Sequence, residues 1–272
     1  MTRRLKTFAF YLGVAAILIF FLAPPVWLVS TSFKTPRDAF ALPPKIIFTP
    51  TFDNYREVLS NANFTGAFVN SVVIAGASTL AAVILGSLAA YALSFFKLPN
   101  KGNLATFIVS LRVAPALMFV LPMFFLVTRL GLRDTYPVII LIYLVVNLPF
   151  AILMLTTFFE EVPEEIREAA LIDGCSEWVC FSRIIAPIAR GGIAATAILT
   201  LLLTWNEFLI ALVLTGQRTQ TLPVAITSFL TFQGTEWGPL TAAGTMIMVP
   251  MLILGLFVQR YLVRGLTMGS VK

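Results

Sequence analysis

Between Asp134 and Glu160 the chain carries no charge, and the same is true between Lys6 and Lys34 and between Glu57 and Lys97. A helix needs about 20 apolar residues to cross a bilayer, and each of these stretches supplies them. Charged residues make up only 12% of the chain and apolar ones 58%, whereas a soluble domain carries about a quarter charged residues. A chain so composed cannot cover its surface with polar groups, so it reads as an all-α integral membrane protein. Six segments qualify as spans: Phe8–Val29, Ala67–Phe96, Leu104–Thr128, Tyr136–Phe159, Gly191–Leu214 and Thr241–Val258. Arg112 interrupts the third and Glu207 the fifth. The start, MTRRLKTF, resembles the charged end of a signal peptide, but the apolar run behind it is too long for one and lacks a small-residue cleavage site. It reads as an uncleaved first span, and residues 1–272 as a single transmembrane domain.

Lys and Arg set the orientation. With the N-terminus inside, the inner side holds Arg3, Arg4, Lys6, Lys97, Lys101, Arg167, Arg183, Arg190, Arg260, Arg264 and Lys272. The outer side holds Lys34, Arg37, Lys45, Arg56, Arg129, Arg133 and Arg218. The excess favours both termini in the cytoplasm, with the spans between them in contact with membrane lipid. The net charge of +6 is spent on these clusters at span ends. No basic patch interleaved with aromatics exists to read nucleic acid. There is no histidine, and the two cysteines, Cys175 and Cys180, form no CxxC. A zinc site and a Ser-His or Cys-His nucleophile pair are therefore not expected. No GxxxxGK[ST] occurs, so the chain itself holds no P-loop nucleotide, and no cofactor is expected on it.

Six of the thirteen acidic residues, Glu161, Glu164, Glu165, Glu168, Asp173 and Glu177, gather between positions 161 and 177, in the loop 160–190 that joins the fourth and fifth spans. Pro163 suits a first helical turn, and Glu164 and Glu165 suit its positive end. Asp173-Gly174 stops that helix, with Gly able to take the left-handed cap. Ser176 can cap a second helix running to Pro187. The expected product is a cytoplasmic helix–turn–helix. Ala169 and Ala170 would keep one face thin for a docking protein, and Glu168 and Asp173 would offer it charge.

Polar groups inside spans are the other candidates. An Arg in hydrocarbon costs about 2.5–3.5 kcal/mol on insertion scales. Arg112 should therefore face a polar path or a gate ion pair, or else snorkel to the interface or pair with another subunit. Trp205, Asn206 and Glu207 together could grip a hydroxyl-rich ligand by stacking and hydrogen bonding; the alternative is a cap or interface anchor. Asn147, just before Leu148-Pro149, is either helix glue or a ligand contact. Pro115, Pro122, Pro149 and Pro250 inside spans predict kinks, and the Ala/Gly/Ser-rich second span predicts close helix packing. The outer loop 30–66 should end in a short surface helix over FDNYREVLS.

Glu168-Ala169-Ala170, Asp173-Gly174, Ile184 and Pro187 resemble the EAA loop of bacterial import permeases of the ATP-binding-cassette class. Ala186 stands where that pattern has Leu, and Cys175 where Ala is common. The runs Pro149–Phe159, Trp205-Asn206-Glu207-Phe208, Thr221-Leu222-Pro223-Val224 and the tail from Gln259 to Thr267 are similar to the maltose-permease-type second subunit of carbohydrate importers. The resemblance covers essentially the whole chain. It implies an inner-membrane subunit that pairs with a different permease subunit, takes sugar from an extracytoplasmic binding protein, and is driven by two ATPase subunits that carry ATP and Mg. It also implies that Glu168, Ala169, Ala170, Asp173, Gly174 and Pro187 couple to an ATPase, and that Arg112, Asn147, Trp205, Asn206 and Glu207 are candidates for the solute path. The competing readings are an importer of a non-sugar solute and a self-sufficient secondary transporter; the latter calls for coupling carboxylates at mid-membrane, where this chain offers only the off-centre Glu207.

Overall fold

The computed structural model describes residues 3–113, 116–231 and 234–268. Its helices include, in chain order, α1 (Arg3–Ser32), α2 (Asp53–Ser60), α3 (Ala62–Phe95), α4 (Lys101–Val113), α5 (Ala116–Arg129), α6 (Tyr136–Glu160), α7 (Glu164–Ile172), α8 (Glu177–Cys180), α9 (Arg190–Trp205), α10 (Leu209–Leu214) and α11 (Trp237–Met268). Among the described residues four helical stretches are long and apolar enough to cross a membrane: Lys6–Ser32, Ala62–Phe95, Tyr136–Glu160 and Trp237–Phe257. They match the first, second, fourth and sixth expected spans.

The other two expected spans differ in how they appear. The third is represented by α4 and α5 on either side of residues 114–115, and Pro115, where its first kink was expected, lies outside the described residues. The fifth ends as α9 at Trp205 and resumes as α10 at Leu209. A bend of 79° separates α9 from the Glu177–Ile188 segment before it. The fifth span breaks because Glu207 turns its carboxylate onto the amides that begin α10, as described below.

Contacts divide the chain into two compact units, Met1–Thr65 with Ile226–Val249, and Gly66–Ala225 with Pro250–Lys272. In the first unit, Asn54 of α2 is 4% exposed. Its amide donates to the carbonyls of Ser32 at 2.8 Å and Lys34 at 2.9 Å, satisfying acceptors that the end of α1 leaves open. Gly238 lies so close to the Asn54 side chain that a Cβ there would collide with it. Lys34, 1% exposed, rests its ammonium 4.1 Å from the Trp27 ring and 5.1 Å from the Phe48 ring, a desolvated cation held by ring quadrupoles. The expected surface helix over Asp53–Ser60 is present as α2. Leu230–Thr231 pairs antiparallel with Gly234–Thr235.

The second unit is held by small residues. Ala82, Ala90 and Ala151 are fully buried, in a cluster with Leu155, Phe159 and Cys180. A Cβ on Gly86 would stand 3.0 Å from that of Ala151, so α3 and α6 approach almost backbone to backbone. That is where membrane helices gain their dispersion energy. Hydroxyls in these helices bond back to their own carbonyls: Ser78 to Ile74 at 2.7 Å and Ser87 to Val83 at 2.6 Å. Such back-bonding removes donors that hydrocarbon would leave unsatisfied.

Candidate functional site

The loop 160–190 forms the expected helical hairpin. Helix α7 ends in a left-handed turn: Gly174 has φ of 85°, its amide donates to the Leu171 carbonyl at 3.0 Å, and the Cys175 amide donates to Ala170 at 3.0 Å. These paired bonds define a Schellman cap, and only a residue without a Cβ takes that φ at little cost. Ser176 then caps α8, its hydroxyl accepting from the Val179 amide at 3.4 Å. The second arm departs from the expected single helix. It widens into a π turn over Phe181–Ile185 before a last turn, Ala186–Ile188. Pro187 has no N–H to donate, so the regular ladder cannot run through it.

The hairpin apex is open to solvent. Glu168, Ala169, Asp173, Gly174 and Pro187 are exposed, and Ile172, at 85%, is among the most exposed large apolar residues of the chain. Ala170 differs from its neighbour: it is 6% exposed and packs in the cluster of Tyr91, Phe159 and Cys180. Consecutive residues sit about 100° apart on a helix of 3.6 residues per turn, so only Ala169 contributes to a thin outer face.

What fixes the hairpin was not visible in the sequence. Arg167 of α7 and Glu177 of α8 form a two-point ion pair, Nε to Oε2 at 3.2 Å and Nη2 to Oε1. Tyr91 of α3 donates its hydroxyl to Glu177 Oε2 at 2.7 Å. Burial disfavours the Glu177 anion, but the Arg167 guanidinium and the Tyr91 hydroxyl outweigh it and hold the carboxyl below its ordinary range. The same carboxylate raises the Arg167 pKa. The Arg167 guanidinium also lies 5.4 Å from the Phe96 ring. Around Tyr91 stand Phe95, Phe96 and Phe181, with ring centroids 5.2, 5.8 and 5.2 Å away.

The intramembrane candidates separate into two groups. Glu207 is committed to its own backbone: Oε1 accepts from the Ile210 amide at 2.8 Å, and Oε2 from the Ala211 amide at 3.0 Å and the Tyr143 hydroxyl at 2.8 Å. Asn147 donates to the Tyr143 carbonyl at 3.0 Å and to the Thr204 hydroxyl at 3.1 Å, joining α6 to α9. Trp205 is 5% exposed, edge-on to Phe68, and its indole nitrogen has no hydrogen-bond partner among the described residues. Arg112 and Asn206, by contrast, are exposed; the Arg112 guanidinium lies 5.2 Å from the Phe150 ring. The structure thus brings Asn147 and Glu207 onto a shared frame through Tyr143, and leaves Arg112 apart.

A second polar cluster lies at the other end of α6. Asp134, at φ of 61°, accepts the amides of Gly216, Arg218 and Thr219 at 2.9, 3.0 and 2.8 Å, together with the Thr219 hydroxyl at 2.6 Å. Asn70 donates to the carbonyls of Arg218 and Gln220 at 3.1 and 2.9 Å, and the Tyr136 hydroxyl bonds Asn70. Burial works against the Asp134 anion, and the Thr219 hydroxyl with the three amides overcomes it, so its carboxyl lies below the usual range. Among the described residues no cluster of His, Cys, Asp and Glu could hold a metal ion.

Residues 82–268 match the family described as "Binding-protein-dependent transport system inner membrane component". The chain is 38% identical over its full length to 96% of the protein named "Probable ABC transporter permease protein y4oR" of Sinorhizobium fredii. It is 37% identical to the trehalose transport system permease protein SugB of Mycobacterium tuberculosis, covering 92% of each chain. The crystal structure of a bacterial ABC transporter that imports the acidic polysaccharide alginate contains a chain of the same fold, with a TM-score of 0.80, 19% identity, and 96% and 98% of the two chains covered.

Proposed function

This chain belongs to the family of binding-protein-dependent transport system inner membrane components, and from that premise we propose that it is the permease subunit of an ATP-driven importer for a sugar or sugar-like solute. The solute class follows from relatives such as the trehalose permease SugB. The partners in this reading are a second, different permease subunit, two ATPase subunits that carry ATP and Mg²⁺, and an extracytoplasmic binding protein. The membrane is the bacterial inner membrane, with both termini and the 160–190 hairpin in the cytoplasm.

The observation that carries the reading is the hairpin apex. Glu168, Asp173 and the bare Gly174 turn present charge and backbone to solvent, with Ile172 as an exposed apolar anchor. Such a patch, polar at its rim and apolar at one point, suits insertion into a groove of another protein. We assign the apex to the ATPase, whose closure would draw the hairpins of the two permease subunits together and switch the spans between two packed arrangements. Arg112 and Asn206 are assigned to the solute path because both side chains are exposed, although the Asn206 amide also donates to the Leu202 carbonyl at 2.8 Å. Asn147, Trp205 and Glu207 are assigned a framing role beside Asn206.

The test is to purify the complex through a tag on this chain, reconstitute it, and follow ATP hydrolysis with binding protein loaded from a panel of mono- and oligosaccharides and polyols. Stimulation by members of the panel is expected. Replacing Glu168 and Gly174 together should abolish ATP-coupled uptake while the permease remains in the membrane. Full uptake in that variant, or uptake that persists without ATPase subunits, would overturn the assignment.

A further inference from the structure

The hairpin joins the membrane helices through two weak joints. Before it, the short link 161–163 separates α6 from α7. After it, the π turn and the 79° bend separate it from α9. A force applied at the apex would be lost in these joints unless something else ties the hairpin down. Apolar packing of Ala170 and Cys180 in the cluster with Tyr91 and Phe159 holds it in place without fixing its direction; the directional tie among the described residues is the Arg167–Glu177–Tyr91 cluster. Arg167 and Glu177 come from opposite arms of the hairpin, and their two-point contact fixes the angle between guanidinium and carboxylate as well as their distance. Tyr91 comes from neither arm but from the end of α3. Phe181 of the π turn sets its ring, tilted, between Tyr91 and Trp178, at 5.2 and 5.7 Å.

We propose that Tyr91, Arg167 and Glu177 are positioning residues that make the hairpin and the adjoining end of α3 one rigid body, so that displacement of the apex is delivered to α3. The proposal rests on the assignment of the apex to an ATPase. The pair is partly exposed, with side-chain exposures of 13% and 40%, and an exposed pair stabilises a fold little. Its contribution is directional: three hydrogen bonds meet on one carboxylate and exclude other hairpin orientations. Neither Glu168 nor Gly174 takes part, so the contact that receives the partner and the contact that passes its motion on are separate groups.

The test uses the complex purified through a tag on this chain, in lipid nanodiscs. Spin labels are placed at the exposed positions Glu165 and Lys97 in a Cys175→Ser background; the remaining Cys180 is fully buried. Electron–electron distances are recorded without nucleotide and with ATP plus vanadate. With the cluster intact, one narrow distance common to both states is expected. Tyr91→Phe or Glu177→Ala should raise the detached population about tenfold, as loss of a charge-assisted hydrogen bond implies, broadening the distribution and making it depend on nucleotide. Glu177→Gln, whose side-chain oxygen still accepts from Tyr91 and Arg167, should broaden it less than Glu177→Ala, a grading that a general loss of folding would not produce. A distance that shifts with nucleotide in the unmodified cluster would overturn the proposal, as would narrow distributions in both Tyr91→Phe and Glu177→Ala. If no ATPase co-purifies with the unmodified chain, the docking assignment fails instead, and the nucleotide-free distances still decide whether the cluster holds.

Discussion

Tyr143 donates a hydrogen bond to Glu207 at 2.8 Å, and the same carboxylate accepts the first free amides of α10. Tyr143 is 1% exposed, so its hydroxyl depends on this acceptor. Glu207→Ala removes a helix cap and strands a buried hydroxyl, at a cost of about 2 kcal/mol. Tyr143→Phe removes one bond without leaving a buried group unpaired on the tyrosine and costs about 1 kcal/mol. Thermal unfolding in detergent should show the larger loss for Glu207→Ala, with helicity reduced over 209–214.

The Asp134 clasp is sensitive to acid. Its folded pKa is depressed, so its stabilisation is fully present above the unfolded value of about 3.9 and is lost as pH falls through the folded value. Amide protection across 216–219, taken relative to the intrinsic exchange rate at each pH, should be constant between neutral and mildly acidic pH and fall only in stronger acid. Asp134→Asn should show low protection at every pH and lose that dependence.

Gly174→Ala places a Cβ at φ of 85° and should cost about 1–2 kcal/mol of local stability. Gly174→Asn, whose side chain tolerates the left-handed region, should cost less. Hydrogen exchange over 170–176 measures both, and ATP-coupled uptake should fall in the same order.

Gly192 packs against Phe158 so closely that a Cβ would overlap the ring and its Cβ. Gly192→Ala should destabilise the protein by about 1–3 kcal/mol through overpacking, read as a lowered unfolding temperature. Gly76→Ala, on the same kind of apolar helix with nothing within 4 Å of its new Cβ, should be close to neutral.

The spans with unbroken apolar runs were legible because their environment alone specifies them: backbone groups in hydrocarbon must bond within the segment. The hairpin was legible through Gly174 and Ser176, whose effects are local. Three things were not. Glu207 inside an apolar run fits a ligand contact or a cap equally well, and its deciding partner Tyr143 is 64 residues away. Arg167 and Glu177 looked like two more charges of a polar island until the turn at Gly174 folded them together beneath Tyr91, 86 residues before Glu177. The exposure of Ala169 and the burial of Ala170 depend on helix register against neighbours, which a run of two identical residues does not reveal.

The Asp134 clasp separates shape from chemistry in the loop it holds. All its anchors are backbone amides and carbonyls, apart from the Thr219 hydroxyl, while the side chains of Gln217 and Arg218 point away exposed. Substitution at those two positions therefore leaves the turn's geometry intact. A lineage could rewrite the pair freely, acquiring new preferences for whatever meets that surface, without first repairing the scaffold beneath it.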